Sequence, residues 1–301
     1  MGMKHTTFIL GAGSSEPYKY PIGEKLKYII INNLNPNSKT YNELLDFNYN
    51  KDLLNLFKNE LTNCGRYSID AFLSNRREFE DIGKTAIAQA LIPFENKLNL
   101  FPEDNPLSKD LYKFIFNIIS KTKDDIINCG LNIITFNYDR SFEFYINNAL
   151  CSSFKLNPYQ SYDFQKNIET IHVYGKLCNL PFEGNKSRPY VPTYDLDDLA
   201  LARDQINVIH VGDEAIANNI SRSIKVLDNT HYLYILGFGY DELNLNRLKL
   251  NNYIFERIIG TTMGLLEPKK KFVLSYFGHH GYFYDNDVYD LMVNNYPIIE
   301  N

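Results

Sequence analysis

The run Thr6-Thr7-Phe8-Ile9-Leu10 passes straight into Gly11-Ala12-Gly13-Ser14-Ser15, and no other stretch limits the fold so tightly. β-branched and large apolar residues favour a strand. A strand that ends in glycines and feeds a helix turns its backbone N–H groups toward one point. The partial positive charge at the helix start adds to them, so an anion such as a pyrophosphate can bind there. Glycine keeps a Cβ from blocking that approach. The third glycine of a full G-x-G-x-x-G is missing, because Glu16 stands in its place. By itself the turn fits a tight structural bend as well as a phosphate cradle. The other strand ends have to decide.

Further strands are expected over residues 131–136, 171–174, 231–236 and 271–277, from short apolar runs bounded by Gly, Asn or Asp. Helices are expected over 24–33, 140–150, 214–227 and from Asp241 to about 258. Residues 41–128 show no convincing strand. Leu53, Leu54, Phe57 and Leu61, and then Leu107, Leu111, Phe114, Ile115, Ile118 and Ile119, recur at helical spacing. That length exceeds a simple crossover and reads as an inserted helical module. Pro181, Gly184, Pro189 and Pro192 mark 178–205 as a loop-rich connection. Strands alternating with helices imply a parallel sheet covered on both faces. In such a sheet ligands bind at the carboxyl ends of the strands. Here those ends carry Gly-Ala-Gly-Ser, Asn-Tyr-Asp, a histidine before Val-Tyr-Gly, and Gly-Phe-Gly-Tyr-Asp.

Composition narrows the ligand. The 301 residues are 44% hydrophobic and 22% charged, which is globular rather than disordered. The net charge of −5 argues against nucleic acid as the main partner. No signal peptide or membrane-length apolar run is visible, so a soluble cytoplasmic protein is expected. Cys64, Cys129, Cys151 and Cys178 form no C-x-x-C pair. They read as free thiols, with no metal site expected.

The individual residues admit two readings each. Asn137 can donate and accept at once, which suits a sugar hydroxyl and a water, or it can close a turn. Asp139 can serve the site or cap the following helix. His172 can take a proton from water or a ribose hydroxyl near neutral pH, or sit satisfied in the core. His5, His210 and His231 read as strand or edge positions, and His279-His280 as loop. Asp241 and Asn244 can cap a helix, bind a ribose, or do both.

Taken in this order, the motifs resemble the sirtuin-like superfamily. The residues that carry the resemblance are Gly11-Ala12-Gly13-Ser14, Thr135-Phe136-Asn137-Tyr138-Asp139 as T-x-N-x-D, His172 with Gly175, and Gly237-Phe238-Gly239-Tyr240. Ser68-Ile69-Asp70-Ala71-Phe72-Leu73 and Pro21-Ile22-Gly23 are similar to segments of its zinc-free bacterial branch. The resemblance spans residues 6 to about 245. It departs from protein-deacylating sirtuins at two points. The zinc ribbon is missing, and Tyr20-Pro21-Ile22-Gly23-Glu24 stands where an Ile-Pro-Asp-Phe-Arg segment is expected. That leaves the Phe and Arg of the segment without a match.

The resemblance implies a single Rossmann-like α/β domain, its core formed by 1–34 and 129–301, with the helical module at about 35–128 between the first and second strands. It implies NAD+ as substrate, with no further cofactor, and hydrolysis of NAD+ in antiphage defence as the activity. Asn137 would position water and ribose hydroxyls, His172 would act as general base, and Asp139 would orient Asn137. Gly11, Ala12, Gly13 and Ser14 would bind the pyrophosphate, with Thr135 and Gly175 beside them. Gly237, Phe238, Gly239, Tyr240 and Asp241 would face the adenosine ribose. A zinc-free deacylase or ADP-ribosyltransferase, or a non-catalytic NAD+ or ADP-ribose sensor, would use the same pocket. An uncontrolled NADase would poison its own cell, so a homo-oligomer, an activating sensor or ATPase partner, or both are expected.

Overall fold

The computed structural model describes residues 4–103, 109–208 and 214–296. Leu107 and His210 lie outside them. Six strands form one sheet: β1 (Thr6–Leu10), β2 (Leu131–Thr135), β3 (Glu169–His172), β4 (Tyr232–Leu236), β5 (Arg257–Thr261) and β6 (Gly281–Tyr284). Every pairing is parallel, and the spatial order is β3-β2-β1-β4-β5-β6. This is a Rossmann-like α/β fold. All five residues of β1 are buried. Successive side chains point to opposite faces, so helices must cover the sheet on both sides. The chain reverses its direction of winding between β1 and β4, where such sheets open a crevice.

Between β1 and β2 run α1 (Gly23–Asn33), α2 (Lys39–Asp46), α3 (Lys51–Asn63), α4 (Ile69–Leu73), α5 (Glu80–Leu91), α6 (Lys97–Leu100) and α7 (Leu111–Ile119). No strand occurs there among the described residues. Side-chain caps start several of these helices: Ser38, Asn50, Ser68 and Asp110 each accept a backbone N–H three residues on. From Ile82 to Leu91 only Lys84 escapes burial, which makes α5 the axis of the helical region. It packs on α1 before it and on the much later α10. The remaining helices are α8 (Ser141–Phe154), α9 (Pro158–Gln165), α10 (Leu196–Gln205), α11 (Glu214–Asp228), α12 (Glu242–Arg247), α13 (Glu267–Phe277) and α14 (Val288–Asn295).

The expectations for the last third of the chain need correction. Residues 271–277 are not a strand but the end of α13, which opens with Pro268 in its first turn. Phe272, Val273, Tyr276 and Phe277 are spaced one and four apart, a helical pattern that a short apolar run conceals. The helix expected to reach residue 258 stops at Arg247, and Lys249 turns left-handed at φ 52°. That frees Arg257-Ile258-Ile259-Gly260-Thr261 to become β5. β3 ends at His172, so the histidine stands at the carboxyl edge of the sheet rather than inside a strand.

Candidate functional site

Two glycine turns lock together at the carboxyl edge of β1 and β4. Gly11 N–H donates to Leu236 O at 3.0 Å, and Gly13 N–H to Gly237 O at 2.9 Å. A Cβ on Gly11 would come within 2.5 Å of Gly237 O, and one on Gly237 within 2.2 Å of Ser14 N. Gly237 is also left-handed, at φ 60°. The glycines at 11 and 237 are therefore required by the packing of one turn on the other, and a Cβ on Gly13 would be tight, at 3.0 Å from Gly237 Cα. This corrects the expectation of a row of free amides, because the N–H groups of Gly13, Ser14 and Ser15 are all bonded inside the protein. Gly239 differs. It is exposed, and an added Cβ would meet nothing within 4 Å.

The turns form the floor of a cleft of about 770 Å³, a size ordinary for a small-molecule site. Ala12, Gly13, Gly237, Phe238 and Gly239 line it from below. Ile22 and Gly23, part of the Pro21-Ile22-Gly23 segment, lie on one wall, and Met263 to Leu265, after β5, on another. Lys109 joins the walls through ion pairs to Asp287 and, at 2.5 Å, to Asp290.

Asn137, Asp139 and His172 lie on the other side of the turn, around a pocket of only about 10 Å³. That is room for one water at most. The Asn137 side chain donates from Nδ2 to Gly11 O at 3.0 Å and to Ser15 Oγ at 3.1 Å. Its Oδ1 meets no donor among the described residues. Ser15 Oγ donates in turn to Asp139 Oδ2 at 2.9 Å. Asp139 thus reaches Asn137 through a serine hydroxyl, and its other oxygen holds the Ser141 backbone N–H at 3.2 Å and the Ser141 hydroxyl. Burial pushes the Asp139 carboxyl up, against the pull of those hydrogen bonds. Tyr112 continues the chain, its hydroxyl 2.8 Å from Ser141 Oγ.

His172 is 8% exposed. Its Nδ1 lies 2.9 Å from the backbone carbonyl of Asn137, and its Nε2 lies 2.7 Å from Glu143 Oε1. Lys176 stands 3.6 Å from the same carboxylate and pairs with Glu183 at 2.7 Å. Burial opposes ionisation of Glu143, but the charges of His172 and Lys176 and the His172 hydrogen bond hold its carboxyl down at about 2. Of the two readings of His172, the resting arrangement matches the satisfied one: both ring nitrogens already face an acceptor.

Three residues expected at the ligand have evident roles in the fold. Tyr240 is fully buried and donates to Thr261 O at 3.0 Å. Asp241 caps α12 through the N–H groups of Leu243 and Asn244. Gly175 sits at φ 74°, and a Cβ there would lie 1.9 Å from Gln205 O. Thr135 is buried and accepts the Asn137 backbone N–H at 3.0 Å, while Ser14 Oγ bonds back to Gly11 O at 2.7 Å. Phe238 packs on Phe136, with ring centroids 4.9 Å apart, under the cleft floor.

The sequence reading missed Ser15, Ser141 and Glu143. It also missed a buried triad of Glu95, Arg140 and Arg188, whose side chains are all 0% exposed. Arg140 holds Glu95 by two bonds of 2.7 and 2.6 Å and donates to the carbonyls of Asn179, Arg188 and Pro189. Arg188 donates to those of Val191 and Thr193. Two guanidiniums thereby fold the loop after β3, where regular structure is sparse. The Ser68-Ile69-Asp70 segment also reaches the site, because Tyr138 donates to Asp70 at 2.6 Å. Among the described residues no cluster of three His, Cys, Asp or Glu could hold a metal, and no helix is long and apolar enough to cross a membrane. No protein-family model matches the chain, and no curated protein does.

Proposed function

We propose that the protein is an NAD+ glycohydrolase that cleaves NAD+ to nicotinamide and ADP-ribose. One observation carries this reading: Asn137 joins, through a single residue, the turn that floors the open cleft and the buried His172. Its side chain bonds the glycine turn and its backbone carbonyl meets the imidazole. A dinucleotide lying in the cleft, with its pyrophosphate over Ala12, Gly13 and Gly239, would have to pass its far ribose over the glycine turn to reach Asn137. The free Oδ1 of Asn137 could then accept a ribose hydroxyl or hold a water.

Nicotinamide leaves with the electron pair of its glycosidic bond and departs neutral. Water supplies the oxygen that replaces it at C1′, and its proton passes to His172. Positioning of this kind lowers a barrier without metal or redox chemistry in the step. His172 can take that proton only after Nδ1 has left the Asn137 carbonyl and given up the proton it donates there. The packed pocket and the occupied imidazole support a resting state that needs a trigger, as an effector that depletes NAD+ in antiphage defence would. The trigger would be self-assembly or an activating partner such as a sensor or ATPase. The same two features favour a second reading, a non-catalytic module that senses NAD+ or ADP-ribose.

Chromatography of NAD+ incubated with the wild-type, Asn137→Ala and His172→Ala chains, each checked for folding, is the test. Nicotinamide and free ADP-ribose should appear with the wild-type chain, and either variant should slow their release by about 10²–10⁴-fold. Variants that cleave as fast as the wild-type chain end the assignment. Acyl-ADP-ribose or modified protein would instead indicate a deacylase or ADP-ribosyltransferase. Binding without turnover, with partners present, would favour the sensor.

A further inference from the structure

His172 is the one imidazole in the candidate site, and its hydrogen bonds fix which nitrogen can work. The carbonyl of Asn137 only accepts, so Nδ1 carries a proton while it rests there. Glu143 faces Nε2 with a carboxylate oxygen at 2.7 Å, and both side chains are buried. A carboxylate likewise only accepts, so Nε2 carries a proton as well. Glu143 lies in the first turn of α8, four residues after Asp139. It does not reach the cleft lining.

We propose that Glu143 is the positioning residue of His172: it retains the Nε2 proton throughout, so that Nδ1, on the Asn137 side, is the nitrogen that exchanges protons with the reacting water. This deepens the NAD+ hydrolase reading and rests on it. Nδ1 first gives its proton to solvent as it leaves the Asn137 carbonyl; in the step, a water O–H bond then breaks and a new Nδ1–H bond forms. The water oxygen bonds C1′ with its own electron pair, and nicotinamide leaves with the pair of the broken C–N bond. The imidazolium is neutralised by Glu143 and later returns its Nδ1 proton to solvent. No other reactant is needed.

The other groups around the ring do not fill this role. Asp139 spends its oxygens on Ser15 and Ser141. Lys176, from the loop after β3, touches Glu143 rather than the ring, and Glu183 shares it. Tyr112 of α7 and Tyr162 of α9 are phenols whose pKa burial pushes up, so they stay neutral. Asn219 of α11 holds the backbone carbonyl of His172, not its ring. Glu143 itself is a fixed carboxylate, held down at about 2 despite burial by the charges of His172 and Lys176.

The test uses the full chain as wild type, Glu143→Gln and Glu143→Asp, with two readouts. The ¹⁵N signals of the His172 ring at neutral pH report its protonation directly. In Glu143→Gln the Nε2 signal should shift and the share of rings carrying their proton on Nε2 should fall, because the carboxylate that accepts that proton is gone. The second readout is steady-state NAD+ cleavage. Glu143→Gln should lower kcat by about 10²-fold with KM unchanged, because Glu143 does not touch the cleft. Glu143→Asp should recover part of both effects. Unchanged ring signals in folded Glu143→Gln overturn the proposal, and so does a moved ring with unchanged kcat. If Glu143→Gln does not fold, wild-type ring signals and kcat in Glu143→Asp overturn it equally. A wild-type chain that never cleaves NAD+ removes the hydrolase reading alone, since the ring signals still decide whether Glu143 governs His172.

Discussion

The two sides of the first glycine turn differ in almost every physical respect. On the β4–β6 side lies an open cleft of about 770 Å³, lined mostly by apolar and small residues with a few polar ones such as Glu16, Lys109 and Asp287. On the β2–β3 side lies a packed pocket of about 10 Å³, crowded with Asn137, Asp139, Glu143 and His172. One side has room and little chemistry. The other has chemistry and no room. Ligand affinity should therefore respond to changes in the cleft, whereas stability and turnover should respond to changes in the pocket. Each prediction below sets one side against the other.

The largest effect on stability is expected at Arg140, next to Asp139. Its guanidinium, Glu95 and Arg188 form a wholly buried group of charges. Arg140→Met keeps much of the volume but removes one partner and orphans carbonyls of the loop after β3. A loss of about 3–5 kcal/mol is expected from breaking a buried pair, read as a lower midpoint in denaturant unfolding. The cleft does not include Arg140, so affinity for NAD+ in the folded fraction should hold. Loss of affinity without loss of stability would break the division.

Acid should act on the packed side through two carboxyls whose effects are opposite in sign. Glu143 titrates at about 2 in the folded protein against an ordinary 4.5, a difference on the order of 3 kcal/mol at about 1.36 kcal/mol per unit. A depressed carboxyl stabilises the fold fully above its unfolded value, and that contribution is lost as pH falls from 4.5 toward 2. Asp139 works in the opposite sense. Burial raises its carboxyl, so protonating it on the way down relieves a cost. Unfolding free energy measured between pH 6 and 3 should fall less steeply in Glu143→Gln and more steeply in Asp139→Asn than in the wild-type chain. Parallel curves for all three would contradict the assignment of these shifts.

The second glycine turn allows the sharpest contrast, since it touches both sides within three residues. Gly237→Ala places a Cβ 2.2 Å from Ser14 N at a left-handed φ and should cost about 2 kcal/mol or more. Gly239→Ala meets nothing and should stay within about 0.5 kcal/mol of the wild-type stability. A larger side chain at 239 points the effect at the ligand instead. Gly239→Leu should weaken NAD+ binding by about tenfold, the worth of a few misplaced methylenes, with little change in unfolding.

Much of this division was legible in the sequence where one residue type sufficed to mark a place. The glycine turns, the Asn137-Tyr138-Asp139 run and His172 announce themselves beside strands, and the parallel sheet brings strand ends to one edge whatever the details. The sequence could not say which glycines face a ligand and which face each other, because that depends on β1 and β4 being neighbours across some 220 residues of chain. Glu143 and Ser15 were invisible for a related reason. A glutamate on a helix and a serine after a turn are ordinary until folding sets them against His172 and Asp139. Glu95 meets Arg140 and Arg188 only in the tertiary structure. The signal for β5 was present in Ile258-Ile259, but Asp241 begins a true helix, and nothing local marks its early end except Lys249.

The smallest effect is expected at the cleft rim. Lys109 is half exposed and pairs with Asp287 and Asp290, at side-chain exposures of 25% and 42%. Exposed pairs of this kind add little to stability, so Lys109→Ala should scarcely move the unfolding midpoint. Its effect on the ligand should be larger than its effect on the fold. Removing Lys109 leaves two carboxylates uncompensated beside a cleft proposed to take a pyrophosphate. NAD+ affinity should drop by a few-fold at low ionic strength, and the difference should shrink as salt shortens the Debye length to about 8 Å at 0.15 M. Asp290→Asn in the same background should restore part of the affinity, because it removes one of the repelling charges. If Lys109→Ala instead destabilises the fold while leaving affinity untouched at every salt concentration, Lys109 belongs to the packed half of the molecule, and the glycine turn is not the boundary between binding and chemistry.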